Sequence, residues 1–86
     1  MNLSHTINGS GTALVLLHGY LEQKEMWEDV VQQAPAGLHI ICPDLPGHGE
    51  SPAQSNQTIE SMATAVAELL DSLNIDRFYL AGHSMG

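Results

Sequence analysis

Residues 78–86, Phe78-Tyr79-Leu80-Ala81-Gly82-His83-Ser84-Met85-Gly86, combine an apolar run of strand length with the pattern Gly-x-Ser-x-Gly. Glycines on both sides of Ser84 permit the strained backbone of a sharp strand-to-helix turn, where neighbouring elements come close together. A serine on such a turn is presented as a nucleophile. The stretch therefore predicts a nucleophile elbow at Ser84. The alternative is a structural glycine turn whose serine has no catalytic role.

Three apolar runs of strand length alternate with two segments of helical spacing. The runs are Ala13–Leu17, Leu38–Cys42 and Phe78–Ala81. None alternates strictly between apolar and polar residues, which is typical of parallel strands covered on both faces. The order strand, helix, strand, helix, strand indicates right-handed crossovers in an α/β fold. We predict part of a single α/β domain over residues 1–86, with three layers and a mostly parallel sheet. Residues 3–7 form a candidate edge strand, and residues 8–11 form the turn that connects it to the first central strand.

The two helical segments differ in how clearly their ends are marked. Met26, Trp27, Val30, Val31 and Ala34 share one face of the first helix, which Pro35 helps to end, but its start carries no obvious cap. Apolar residues recur at intervals of three and four from Ile59 to Leu73 in the second. Thr58 is a good N-cap there, and Asn74 can adopt the left-handed conformation that ends a helix.

The composition is that of a globular protein with an acidic surplus. Ten acidic residues oppose two basic ones, for a net charge of −8. This balance argues against nucleic acid as a partner and favours solubility. No run approaches the roughly 18 apolar residues of a membrane span, and the N-terminus lacks a signal-peptide pattern. We therefore expect a cytoplasmic protein with no membrane partner. Cys42 has no partner at a zinc-ligand spacing and is predicted to be a buried thiol. We expect no metal and no cofactor.

A His-Gly pair follows the first central strand, in Leu16-Leu17-His18-Gly19-Tyr20-Leu21. Ligand sites in open α/β sheets form outside the carboxyl ends of the strands. A glycine there lets the next backbone N–H groups turn towards a developing oxyanion. We predict the N–H groups of Tyr20 and Met85 as the two donors. His18 is predicted to hydrogen-bond loop backbone rather than to transfer protons.

The second central strand leads into Pro43-Asp44-Leu45-Pro46-Gly47-His48-Gly49-Glu50-Ser51. Its Gly47-x-Gly49 lacks a third glycine and a following helix, so it does not predict a dinucleotide site. We interpret it as a rigid loop at the rim of the site, with Asp44 as a structural carboxylate.

Together, these three stretches resemble the α/β-hydrolase family. Residues 16–20 are similar to its His-Gly oxyanion loop, residues 43–51 to its Asp-x-Pro-Gly-x-Gly-x-Ser loop, and residues 82–86 to its nucleophile elbow, all in the family's order. The resemblance implies a serine hydrolase acting on a small-molecule ester, thioester or related acyl substrate. A serine at position 84 points away from the dehalogenase branch, which uses aspartate. Small esterases, related carbon–carbon or thioester hydrolases and cofactor-free haloperoxidases all remain open.

The family's catalytic order is serine, then an acid, then a histidine. No upstream histidine combines reach to Ser84 with an orienting acid. We therefore expect this chain to be the N-terminal part of such an enzyme, inactive or nearly so and poorly stable by itself, with residues 78–81 as an exposed apolar edge strand. The alternative is a non-catalytic module, or half of a split enzyme, that binds a complementary C-terminal segment.

Overall fold

The strands and helices follow the order that the sequence pattern predicts. The computed structural model describes residues 3–19, 21–55 and 57–83. The strands in these ranges are β1 (His5–Gly9), β2 (Thr12–Leu17), β3 (Leu38–Pro43) and β4 (Tyr79–Gly82). The helices are α1 (Glu28–Gln33), which a 3₁₀ turn over Lys24–Trp27 precedes, and α2 (Ile59–Ser72). The alternation of strand and helix is thus confirmed.

The four strands form one sheet in the order β1-β3-β2-β4. β2 pairs in parallel with both β3 and β4, and β1 pairs antiparallel with β3. Residues 8–11 do lead from β1 into β2, but these strands are not neighbours, so the predicted turn is not a hairpin. β2 has a continuous apolar sequence that suits the centre of the sheet, and both of its sides are taken by parallel strands. The more exposed β1 is left at the edge beside β3.

Helices cover both faces of the sheet, which confirms the predicted three layers. The apolar side of α2 packs on one face, through Met62, Ala65, Val66, Leu69 and Leu70, against a cluster that includes Val15 and Ile41. On the other face, Leu16, Ile40 and Cys42 pack with partly buried residues that include Trp27 and Val31. Cys42 is 1% exposed, and burial raises the pKa of its thiol. The buried thiol predicted from sequence is confirmed.

The ends of α2 agree with the sequence pattern. Thr58 accepts a hydrogen bond from the backbone N–H of Ser61, whose hydroxyl accepts one from the backbone N–H of Thr58. This capping box satisfies two N–H groups that would otherwise lack partners at the helix start. Asn74 has φ 59 and lies just past the helix, as predicted.

The first helical segment is shorter than predicted. The spacing from Met26 to Ala34 predicts one helix without a defined start, whereas a 3₁₀ turn over Lys24–Trp27 precedes α1 and the α-helical part begins at Glu28. Neither N-cap residue, Gln23 or Trp27, forms a side-chain cap, and the N–H of Met26 donates to the carbonyl of Gln23, three residues back. Without a cap from its own N-cap residue, the first turn takes 3₁₀ geometry. Ala34 is extended, as expected of a residue before proline.

β4 lies at the edge of the sheet, and all four of its residues are exposed. Tyr79 is 70% exposed and Leu80 is 58% exposed. An exposed apolar edge strand was expected at this position. α2, with 14 residues, is the longest helix in the described part of the chain, and no helix there is both long and apolar enough to cross a membrane.

Candidate active site

The carboxyl ends of β2, β3 and β4 meet at one edge of the sheet. β2 leads into residues 18–23, called here the His-Gly loop, and β3 leads into residues 44–51, called the rim loop. His83 follows β4, and its N–H donates to the carbonyl of Leu17 at 3.0 Å. The topology therefore brings the described parts of the three sequence motifs to one edge of the sheet. The predicted nucleophile Ser84 and the predicted oxyanion donors Tyr20 and Met85 lie outside the described residues, although their neighbours Gly19, Leu21 and His83 lie at this edge.

His18 joins the His-Gly loop to the rim loop. Its side chain is fully buried, and its Nε2 accepts the backbone N–H of Leu45 at 3.0 Å. Since Nε2 accepts, Nδ1 carries the proton and donates to the carbonyl of Gly19 at 2.8 Å. The ring also lies against His48, with 5.1 Å between the ring centroids. Both nitrogens are engaged by backbone, so the predicted bracing role of His18 is confirmed.

Asp44 and Lys24 form a buried ion pair beneath the two loops. Asp44 is 0% exposed and Lys24 is 6% exposed. Asp44 Oδ2 accepts from Lys24 Nζ at 2.8 Å, and Oδ1 accepts from the Lys24 backbone N–H at 2.7 Å. The backbone N–H of Glu50 donates to Oδ2 at 3.0 Å. One carboxylate thus fixes both the 3₁₀ turn and the rim loop, which confirms the structural role predicted for Asp44.

The surroundings keep both members of this pair charged. Burial is the largest influence on either pKa and opposes the charged form. For Asp44, the hydrogen bonds from Lys24 and Glu50 outweigh burial and lower the carboxyl pKa. For Lys24, the hydrogen bonds to Asp44, Glu25 and Glu50 raise the pKa of the ammonium group. A buried charge is tolerated when its partners satisfy it in this way. Lys24 therefore serves as a structural cation.

Hydroxyl and backbone groups complete the support of the rim loop. Ser51 Oγ donates to the carbonyl of Asp44 at 2.6 Å and accepts the backbone N–H of Ser4 at 2.8 Å. The N–H of Asp44 in turn donates to the carbonyl of Ser4 at 2.7 Å. The segment before β1 is thereby tied to the start and the end of the rim loop. Ser51, the last residue of the rim loop, therefore has a structural role in that loop.

Gly49 and Gly47 allow a matched test of how closely the rim loop packs on Asp44. Both have positive φ, +51 and +77, but a Cβ on Gly49 would overlap the Asp44 carboxylate, whereas one on Gly47 would meet side-chain atoms of Gln57 and Ala53 at 3.4–3.6 Å. We expect Gly49→Ala to lower the free energy of unfolding by about 3 kcal/mol and Gly47→Ala by about 1 kcal/mol. Urea unfolding of the full-length protein measures both. Equal losses would show that backbone conformation alone sets the cost.

Glu22 connects the His-Gly loop to the residue before Ser84. Its Oε1 accepts the backbone N–H of Gly19 at 2.8 Å and the Nδ1–H of His83 at 3.0 Å. The hydrogen bond from His83 is the main cause that lowers the pKa of the Glu22 carboxyl; burial acts in the opposite direction. Sequence reasoning assigned no role to Glu22 or Lys24. Each is connected to a residue far along the chain, and no local pattern indicates such contacts.

A cleft of about 680 Å³ opens between the His-Gly loop and the rim loop. Its lining includes Leu21, Glu22, Glu25 and His48. The carboxylates make this mouth acidic, in keeping with the charge of the whole chain. Within residues 3–19, 21–55 and 57–83, no three His, Cys, Asp or Glu side chains form a group that could hold a metal ion.

Comparisons with known proteins agree with this geometry. A family model described as alpha/beta hydrolase fold matches residues 12–86. A fluoroacetate dehalogenase from Burkholderia sp. is 34% identical over 92 residues, which cover 100% of this chain and 30% of the relative. The (E)-2-((N-methylformamido)methylene)succinate hydrolase of Acinetobacter baylyi is 37% identical over 79 residues, which cover 91% of this chain and 30% of the relative.

Solved structures lead to the same family. An esterase from a marine microorganism matches with a TM-score of 0.92 and 30% identity, over 98% of this chain and 33% of the esterase chain. The chain thus spans about a third of the length of each of these three proteins. Because the family model covers nearly all of the sequence and the strand order brings the three strands that lead into the motifs side by side, the chain belongs to the alpha/beta hydrolase fold family.

Proposed function

We propose that the protein containing this chain is a serine hydrolase that cleaves an ester, thioester or related acyl bond of a small molecule. Ser84 is the nucleophile, and the backbone N–H groups of Tyr20 and Met85 stabilise the oxyanion. The family membership supports a hydrolase. The assignment of roles to these three residues rests on their motifs and on the position of their described neighbours.

One observation carries the proposal: the contact between the end of β4 and the start of the His-Gly loop. The N–H of His83 donates to the carbonyl of Leu17, and in the pairing of β2 with β4 Leu17 lies opposite Gly82. The residues that immediately precede Ser84 are therefore hydrogen-bonded to the residues that immediately precede the His-Gly pair. This is the proximity that a nucleophile and an oxyanion hole require.

The mechanism follows from these roles. The hydroxyl oxygen of Ser84 attacks the acyl carbon, and a histidine base accepts the hydroxyl proton. The carbonyl oxygen becomes an oxyanion that the two N–H groups stabilise. Collapse of the tetrahedral intermediate expels the alcohol or thiol, which takes its proton from the protonated histidine. Water then hydrolyses the acyl-enzyme and regenerates the Ser84 hydroxyl. His18 is excluded as the base because both of its nitrogens are hydrogen-bonded to backbone. We assign the base and its orienting acid to the sequence beyond residue 86, following the order of residues in the family.

A fluorophosphonate probe tests the proposal directly. The probe reacts with activated serines, so the full-length protein should be labelled, and peptide mapping should place the label on Ser84. A second assay compares hydrolysis of p-nitrophenyl acetate with halide release from fluoroacetate, since one relative is a dehalogenase. Ester hydrolysis with labelled Ser84 supports the proposal. Halide release without labelling would contradict it.

The exposed β4 edge supports a second candidate function, a module that binds a complementary chain. Phe78, Tyr79 and Leu80 are exposed, and an apolar edge strand is a template for pairing with another strand. Expression of residues 1–86 by themselves tests this candidate. Stoichiometric binding of a separately expressed C-terminal segment supports it, since self-association through β4 is expected of an exposed edge strand under either candidate. A soluble monomer with a cooperative thermal transition that binds no such segment contradicts it.

A further inference from the structure

We propose that Glu22 is a positioning residue that holds the oxyanion hole at a fixed distance from the nucleophile. This inference rests on the proposed function, because it concerns the same site. This scheme gives Glu22 no direct role towards Ser84 or the substrate. It acts through Gly19, which precedes the proposed donor Tyr20, and through His83, which precedes the proposed nucleophile.

The geometry carries the inference. One oxygen of Glu22, Oε1, accepts hydrogen bonds from both sides of the site, at 2.8 Å from the Gly19 nitrogen and 3.0 Å from His83 Nδ1. The two donors belong to segments that are 64 positions apart in numbering (residues 19 and 83), and one side chain bridges them. A backbone bond from His83 to Leu17 runs alongside this bridge. The two segments are therefore joined by both main chain and side chain.

The Glu22 carboxylate also determines which backbone N–H group of the His-Gly loop can donate to the substrate. The N–H of Gly19 is occupied by Glu22, so it is not available to a developing oxyanion. The next N–H along the loop is that of Tyr20, the donor predicted from sequence. A turn supports the arrangement, since the N–H of Glu22 donates to the carbonyl of Gly19 at 3.1 Å and Leu21 has φ 64. A leucine in this conformation is strained and persists when the surroundings hold it.

The Glu22 side chain is 33% exposed and that of His83 is 58% exposed, so the hydrogen bond between them contributes little to overall stability. Catalysis is far more sensitive, because a displacement of about 1 Å between reacting groups costs about 100-fold in rate. A positioning role and a merely solvated surface charge therefore make different predictions for kcat and for stability.

The test uses the full-length protein and the variants Glu22→Ala, Glu22→Gln, His83→Ala and the double alanine variant. We expect Glu22→Ala to lower kcat for p-nitrophenyl acetate by about 10- to 100-fold with KM nearly unchanged. Glu22→Gln should retain most of kcat, because an amide oxygen also accepts from both donors. The double variant should be no slower than the slower single variant, since both remove one bridge. Glu68→Ala removes a carboxylate from an exposed position on α2 and serves as the control for charge.

Fluorophosphonate labelling of the wild type separates the two possible failures. If Ser84 is labelled and Glu22→Ala keeps the wild-type kcat, the positioning role is wrong and the proposed function stands. If the wild type is neither labelled nor active on the ester, the proposed function fails and the inference falls with it. A loss of kcat that merely parallels a lower thermal midpoint in Glu22→Ala, or one that Glu22→Gln fails to restore, also overturns the positioning role.

Discussion

Replacing Ser84 by alanine is expected to lower kcat/KM for p-nitrophenyl acetate by about four orders of magnitude or more. Under the proposed function, the variant has no hydroxyl to form the acyl-enzyme. The remaining activity would come from binding and from the oxyanion donors alone. Steady-state kinetics of the full-length protein give the loss, and KM should change much less than kcat. The fluorophosphonate label should disappear from the variant in the same experiment.

Ser10→Ala is a suitable control for this prediction, since Ser10 is an exposed serine between β1 and β2. It should leave kcat/KM within about twofold, as is usual for surface substitutions away from special features. Retention of ester hydrolysis by Ser84→Ala would place the nucleophile elsewhere in the protein. Loss of activity together with loss of folded protein, measured by circular dichroism, would instead point to a structural role for the elbow.

Lys24→Met is expected to lower the free energy of unfolding by about 4 kcal/mol, the largest effect on stability that the structure predicts. The substitution keeps an unbranched chain of similar length but removes the ammonium group from a fully buried Asp44. The two backbone N–H donors remain, yet they do not supply the missing charge. Urea unfolding at pH 7 measures the loss. Glu50→Gln is the matched control, because the Glu50 side chain in the same network is 80% exposed and should contribute less than about 1 kcal/mol.

The pH dependence of this loss tests its electrostatic origin. In the wild type the pKa of Asp44 is lower in the folded protein than in the unfolded chain. The ionised carboxylate therefore contributes its full stabilisation above the unfolded pKa of about 3.9, and this stabilisation is lost as pH falls through the folded pKa. Without the ammonium group, the folded Asp44 pKa rises relative to the wild type. In the variant the buried carboxyl is protonated at a higher pH, and protonation removes the free-energy cost of burying an unpaired charge. The stability difference between the two proteins should therefore narrow from pH 7 towards pH 4, whereas a difference independent of pH would indicate lost packing.

The sequence predicted best what neighbouring residues decide. The limits and cap of α2 follow from apolar spacing and from Thr58 beside Ser61, all within one stretch of chain. The central strands follow from continuous apolar runs. The start of α1 was less clear because no capping residue marks it, and the 3₁₀ turn there was not predicted. Local patterns thus predicted the elements and their order, and they predicted boundaries only where a cap or a breaker stands.

Pairing between distant segments was harder to predict. Nothing in residues 5–9 indicates that β1 lies beside β3 rather than β2. The position of β1 depends on β3 and β4, which occupy both sides of β2. The same holds for Lys24, whose partner Asp44 follows another strand, and for Glu22, whose partner is His83. His18 and Asp44 were assigned structural roles correctly, because a motif at a strand end restricts where their side chains can reach. The predicted catalytic residues themselves remain predictions.

The strand order has a consequence for synthesis on the ribosome. β2 lies between β3 and β4, yet β4 begins at Tyr79, long after β2 ends at Leu17. At about 5 to 20 residues per second, the interval of about 60 residues takes roughly 3 to 12 s. During that time the β4 side of the nascent central strand has no partner, whereas the β3 side can pair once synthesis has passed Pro43, about 26 residues after Leu17. The apolar strand at the centre of the finished sheet is thus, for several seconds of translation, an unpaired edge that can aggregate, and slow codons between residues 45 and 78 would prolong the exposure.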